Sequence, residues 1–134
     1  MANNKNGSLD TNLLIRLVLG DVPEQVEAVE KLLKPGSIFD VSDIAIFEMV
    51  YVLEKVYKQP RDIISQNVYS IINHTCINSN RKIFAVSLPL YIDNTKLSFV
   101  DCALTKYAEI NKATPLYTFD ADLAKACSPI TQIP

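Results

Sequence analysis

At 134 residues and a net charge of −2, the chain is long enough for one domain with its own core and too weakly charged to attract nucleic acid through its overall field. A hydrophobic fraction of 49% excludes general disorder, and no run approaches the roughly 18 apolar residues of a membrane span. Three widely spaced cysteines, one histidine and three glycines leave no disulfide framework, zinc site, histidine-based triad or Gly-rich phosphate loop to build.

Residues 1–7 read as a short polar tail without the apolar core of a signal peptide, and residues 8–134 as a single domain. Cysteines used this way suit a reducing cytoplasm. Residues 13–19 are apolar except for Arg16 and follow a Ser-Leu-Asp-Thr-Asn start. Asp21, Pro23 and Glu24 are helix-start signals, and Val22, Val26, Val29 and Leu33 repeat at helical spacing up to Pro35-Gly36. Residues 38–41 form a strand candidate, 43–57 a strongly apolar helix, and Pro60 and Asp62 open another. In residues 81–91 the apolar spacing predicts a helix, yet Pro89 should kink or end it. Ser98 opens the next helix. Residues 115–119 read as a strand, 120–127 as a short helix and 130–133 as an edge strand. Strands alternating with helices predict an α/β domain with a mainly parallel sheet, whose sites lie beyond the carboxyl ends of the strands.

Four acids fall in suggestive places. Asp10 and Asp120 each sit where a strand ends and a helix begins. Asp101 lies in the first turn of the helix opened by Ser98, and Glu48 lies inside the helix 43–57. The first two also fit N-caps worth ~1 kcal/mol each, and Ser98 with Asp101 fits a capping box. Glu48 is harder to explain locally, because it is the only polar residue in Ile-Ala-Ile-Phe-Glu-Met-Val-Tyr-Val-Leu. A helix apolar all round is buried on most sides, so Glu48 is expected to be paired with a cation, protonated or bound to a metal.

Carboxylates within about 4–6 Å of one another repel, and a divalent cation removes the conflict. An all-oxygen site suits magnesium or manganese. Such ions hold phosphates and activate water, which points to phosphodiester hydrolysis.

The blocks Leu9-Asp10-Thr11-Asn12, Phe47-Glu48-Met49-Val50-Tyr51-Val52-Leu53, Phe99-Val100-Asp101-Cys102-Ala103-Leu104 and Thr118-Phe119-Asp120-Ala121-Asp122-Leu123 occur in one order and spacing. In them the chain resembles the PIN-domain ribonuclease family, and within it the VapC-like toxins of toxin–antitoxin pairs, over residues 8–126. The resemblance implies a three-layer α/β/α fold with strand order 3-2-1-4-5 and RNA cleavage. It also implies one or two magnesium or manganese ions, a homodimer and a small antitoxin partner. It places the catalytic and metal-binding quartet at Asp10, Glu48, Asp101 and Asp120, with Thr11 or Asn12 and Thr118 as polar helpers and Asp122 as an accessory acid. Asp122 equally fits a first-turn acid that complements the helix dipole. The chain departs from the pattern in its short, polar first strand, Gly7-Ser8-Leu9, and at Pro89.

Arg16, within two turns of Asp10, is a candidate RNA-phosphate contact or a simple solvated charge. A PIN-like module that binds a partner without cleaving is the alternative reading. The cysteines read as small apolar fillers and His74 as a helix-end residue.

Overall fold

The computed structural model describes residues 4–134. The chain divides into two compact units, Met1–Arg81 and Lys82–Pro134.

In the first unit, strand β1 (Gly7–Ser8) leads into helix α1 (Thr11–Leu19), then α2 (Pro23–Leu32), β2 (Phe39–Asp40), α3 (Asp43–Lys55), α4 (Arg61–Ile72) and β3 (Ile77–Asn78). Local chemistry explains the helix bounds. Asp10 caps α1 by accepting from Leu13 N–H, and Gly20 ends it at φ 65°, a left-handed conformation that glycine adopts without strain. Pro23 starts α2, where its missing N–H has no helical partner to lose. Ser42 caps α3 through Ala45 N–H. The helices bury one face each, including Leu14 and Ile15 of α1, Ile46, Met49 and Leu53 of α3, and Ile64, Val68 and Ile71 of α4. His74 lies just past α4, where its Nδ1 accepts from Cys76 N–H at 3.0 Å.

Strands β1, β2 and β3 pair in parallel in that order, with Gly7 opposite Phe39 and Phe39 opposite Ile77. The segment read as the end of a polar tail takes part in this sheet. Asn6 N–H donates to the Ile38 carbonyl, and Asn6 Oδ1 accepts from Ile38 N–H. Strand β3 has no counterpart among the sequence expectations.

The second unit holds α5 (Arg81–Asp93, from Lys82 on), α6 (Phe99–Ile110), β4 (Leu116–Tyr117), α7 (Ala121–Ala126) and β5 (Thr131–Gln132). Strands β4 and β5 pair in parallel. The α/β class and parallel pairing are therefore as expected, and the ladders 1-2-3 and 4-5 are two portions of the expected order. Phe99 joins α6 to α5, with its ring stacked on Phe84 at 6.1 Å and edge-on to Tyr91 at 5.2 Å.

Pro89 does not end α5, which runs on to Asp93. The proline is exposed, while Phe84, Leu88 and Tyr91 on the opposite face are fully buried. Packing of that face outweighs the local cost of about 3 kcal/mol for an interior proline. The three cysteines are buried, as fillers should be, and burial pushes the Cys127 thiol pKa up. Among the described residues no helix is long and apolar enough to cross a membrane.

One carboxylate ties the first sheet together at the side-chain level. Asp40 of β2 accepts from Asn78 Nδ2 of β3 at 2.8 Å and from Lys5 Nζ, just before β1, at 2.9 Å. The Asn78 amide first, and Lys5 second, hold the Asp40 pKa below its ordinary 3.8. A depressed folded-state pKa means that the stability Asp40 contributes is present above the unfolded value and is lost as pH falls through the folded value. Asp40→Asn should therefore flatten the acid limb of stability against pH below 3.8. Chemical-denaturation midpoints taken from neutral pH down through the carboxylate range check this, and an unchanged acid limb refutes it.

Candidate active site

The first unit brings two of the four sequence-predicted acids to one place. Strand β1 ends at Ser8, and Leu9 is buried with its N–H on the Asp40 carbonyl at 2.9 Å. The alternation of the strand then leaves Asp10 exposed at the carboxyl end. Thr11 is 7% exposed, and its hydroxyl donates to the Ala45 carbonyl at 3.3 Å. That bond joins the first turn of α1 to the first turn of α3. Asp10 and Glu48 consequently line one pocket of about 360 Å³, with Thr11, Asn12, Ser42 and Ile44 among its walls.

Glu48 is exposed, which corrects the expectation that its apolar neighbours would bury it. Ile44 and Tyr51 share its face at helical spacing and are 78% and 61% exposed. The run Ile44 to Leu53 looked apolar on all sides, but the fold covers only the sides that carry Ile46, Met49, Val50 and Leu53. The carboxylate therefore sits on an open wall and is not forced into an ion pair.

The second unit carries the other two acids. Strand β4 continues to Thr118, whose N–H donates to the Gln132 carbonyl at 3.0 Å. The Thr118 hydroxyl then accepts from Asp120 N–H at 3.0 Å, which fixes the turn out of the strand. Asp120 caps α7, its Oδ1 accepting from Asp122 N–H at 2.9 Å and Leu123 N–H at 3.2 Å. Asp101 is half-buried in the first turn of α6, where its N–H donates to the Ser98 hydroxyl at 3.0 Å. Asp122 lines a pocket of about 470 Å³ with Asp93, Lys96 and Lys125, and neither Asp101 nor Asp120 belongs to that lining.

Asp10 and Asp120 are thus both caps and strand-end acids. Each cap uses the Oδ1 oxygen and leaves Oδ2 for another donor or ligand. Arg16 is committed elsewhere. Its guanidinium donates to Tyr57 OH at 2.8 Å and to Asp21 Oδ1 at 2.6 Å. The Tyr57 bond chiefly, with the Asp21 charge, pushes its pKa up. It is not the freely solvated charge that the sequence suggested. Tyr57 lies 41 residues from Arg16, too far for local pattern to reveal the pair.

Among the described residues no three His, Cys, Asp or Glu side chains form a group that could hold a metal ion. The close cluster expected from the sequence is therefore not found as such a group. The donors at the first pocket are nonetheless hard oxygens, two carboxylates beside hydroxyls and an amide, of the kind that suits magnesium or manganese.

Residues 8–128 match the model of one protein family, the PIN domain. The chain belongs to the PIN-domain family. PIN domains are generally nucleases that use divalent metals. A comparison with curated proteins returns no match. In this PIN domain the matched region includes all four acids and both helices that carry Asp10 and Glu48 to their pocket.

Sequence reasoning did not reach Ser8, Ser42 and Ile44 as pocket walls, nor the Lys5–Asp40–Asn78 bridge. The polar residues at the ends of short apolar runs, Asp40 and Asn78, were the available signal.

Capping and site chemistry at Asp10 separate by substitution. Asp10→Ala should cost about 0.5–2 kcal/mol of stability, whereas Asp10→Asn, an equally good cap, should cost almost nothing. Urea melts of the two variants check this. An equal loss in both would show that Asp10 is held by more than its cap.

Proposed function

We propose that this PIN domain is a metal-dependent endoribonuclease that hydrolyses RNA phosphodiester bonds and acts as the toxin of a type II toxin–antitoxin pair. One observation carries the reading. An acid at the carboxyl end of a parallel strand, Asp10, and an exposed acid on the adjoining helix, Glu48, line one pocket in a chain of a nuclease family.

Asp10, Glu48, Asp101 and Asp120 are the acids we assign to that reaction, and Asp10 and Glu48, which share a pocket in the first unit, would hold a magnesium or manganese ion. The metal supplies positive charge that polarises the phosphate and lowers the pKa of water. The protein residues do the rest. Asp10 Oδ1 is held by Leu13 N–H at 3.2 Å, which orients the carboxylate without consuming Oδ2. Glu48, open to water, would take the proton of the water whose oxygen bonds to phosphorus, while the P–O bond to one ribose oxygen breaks and that oxygen leaves protonated from solvent. Asn12 and Ser42 offer donors to the phosphate oxygens from the walls of the same pocket. Thr118 fixes the Asp120 turn.

An apolar groove of about 280 Å³ between α1 and α2, walled by Leu13, Val29 and Leu32 with Arg16 beside it, supports a helix-in-groove antitoxin contact. We also propose a cytoplasmic homodimer. Light scattering that shows a monomer at every concentration overturns the dimer. A non-cleaving binding module is the second reading, favoured by the lack of a three-ligand group among the described residues.

Purified protein should cut RNA with manganese or magnesium and stop on chelation. Asp10→Asn should remove nearly all cleavage while the protein stays folded, and adding Asp120→Asn should remove little more, because residues that act as a unit are non-additive. Expression without an antitoxin should slow growth, and the Asp10→Asn form should be harmless. Wild-type cleavage by that variant overturns the nuclease reading, and intact binding of RNA without any cleavage by the wild type establishes the binding module.

A further inference from the structure

Within α3, Asp43–Lys55, the exposed residues are Ile44, Glu48, Tyr51 and Lys55. Steps of four, three and four residues keep them on one side of a helix with about 3.6 residues per turn. Ile46, Met49, Val50 and Leu53 are buried on the other sides. Ile44 and Glu48 wall the first pocket. Tyr51 and Lys55 carry the stripe beyond it, about 4.5 Å and 10.5 Å along the axis from Glu48 at a rise of ~1.5 Å per residue. Tyr51 is 61% exposed. Tyr57, just past the same helix, has its hydroxyl tied to Arg16, whereas the side chains of Tyr51 and Lys55 have no hydrogen-bond or ion-pair partner among the described residues.

The stripe therefore runs from an acid at the pocket to a bare aromatic ring and then to an unpaired cation. A nucleic-acid strand that leaves a phosphodiester centre offers bases and phosphates in alternation. A tyrosine ring takes the face of a base, and a lysine takes a phosphate as a point charge. The net charge of −2 gives no long-range pull on RNA, so affinity has to come from local contacts of this kind. Stacking tolerates every base, because each has a π-face, so such a platform sets the position of the strand and not its sequence.

We propose that Tyr51 is a base-stacking platform, and Lys55 a phosphate contact, for the RNA strand beside the Asp10–Glu48 pocket. The proposal rests on the ribonuclease reading for its substrate, but its test reads binding and not turnover. The chain has no tryptophan, so Tyr51→Trp places a single indole on the stripe. With manganese present, a short 2′-O-methyl adenine strand, verified intact on a gel afterwards, should quench that indole, and an abasic strand of the same length should not. By fluorescence anisotropy, Tyr51→Ala should bind the adenine strand about tenfold more weakly, the scale of one stacked base, and Tyr51→Phe close to the wild type. All these variants should melt near the wild-type temperature, because the side chain is exposed. Lys55→Ala should lower the slope of log affinity against log salt by about 0.7, one phosphate of a single strand. Unchanged affinity in Tyr51→Ala, an equal loss in Tyr51→Phe, or equal quenching by the abasic strand overturns the platform. So does a Tyr51→Ala variant that turns a dimer into a monomer with RNA binding unchanged, which assigns the stripe to a second copy of the chain. Stacking without cleavage by the wild type overturns the nuclease reading alone, and cleavage with unchanged binding by Tyr51→Ala overturns the platform alone.

Discussion

The first pocket depends on one buried hydrogen bond, from the Thr11 hydroxyl to the Ala45 carbonyl. It adds a side-chain tie to the parallel pairing of β1 with β2 and the packing of α1 on α3, which bring the two helix starts together. The bond is a side-chain contact between two helix starts, and each start is already set by a cap, Asp10 for α1 and Ser42 for α3. Two local devices and one long-range contact thus place an acid from residue 10 beside an acid from residue 48. Burial of Thr11 protects the bond from water and makes it worth more than an exposed equivalent.

Capping and chemistry are not competing explanations of the strand-end acids. A carboxylate has two oxygens, and the backbone N–H groups of a helix start engage one of them. At Asp10 and Asp120 that oxygen is Oδ1 in both cases. The cap restricts the side-chain rotamer and so lowers the entropy lost when the second oxygen takes a ligand. The same logic extends to the amides Asn78 and Asn80, which are oriented by Asp40 and Asp43.

The helices were legible in the sequence because their starts carry local signals. Ser42, Ser98, Asp10 and Asp120 occupy the cap positions that their residue types indicate. Strand β3 was not legible, since Ile77–Asn78 is too short to show alternation. Pro89 misled because a local rule was set against the packing of Phe84, Leu88 and Tyr91. The exposure of Glu48 was hidden for a related reason: composition shows that a helix has apolar residues on every side, but not which sides the fold covers. Asp10 and Glu48 were both named from the sequence and do share a pocket. The partners of Arg16 depend on contacts that local pattern does not encode.

The two-residue strands have a consequence for how this chain tolerates change in length. Side chains alternate faces along a strand, so moving the pairing by one residue turns every side chain over. Here Leu9 is buried and Asp10 exposed only because Gly7 stands opposite Phe39 and Ser8 opposite Asp40. Adding or deleting one residue between Gly7 and Asp10 would direct a carboxylate inward and a leucine into solvent. The frame of the ladder, more than the hydrophobicity of its strand, keeps the first acid at the surface. That explains how a strand as polar as Gly7–Ser8 suffices: its task is to count residues, and two rungs are enough to do so.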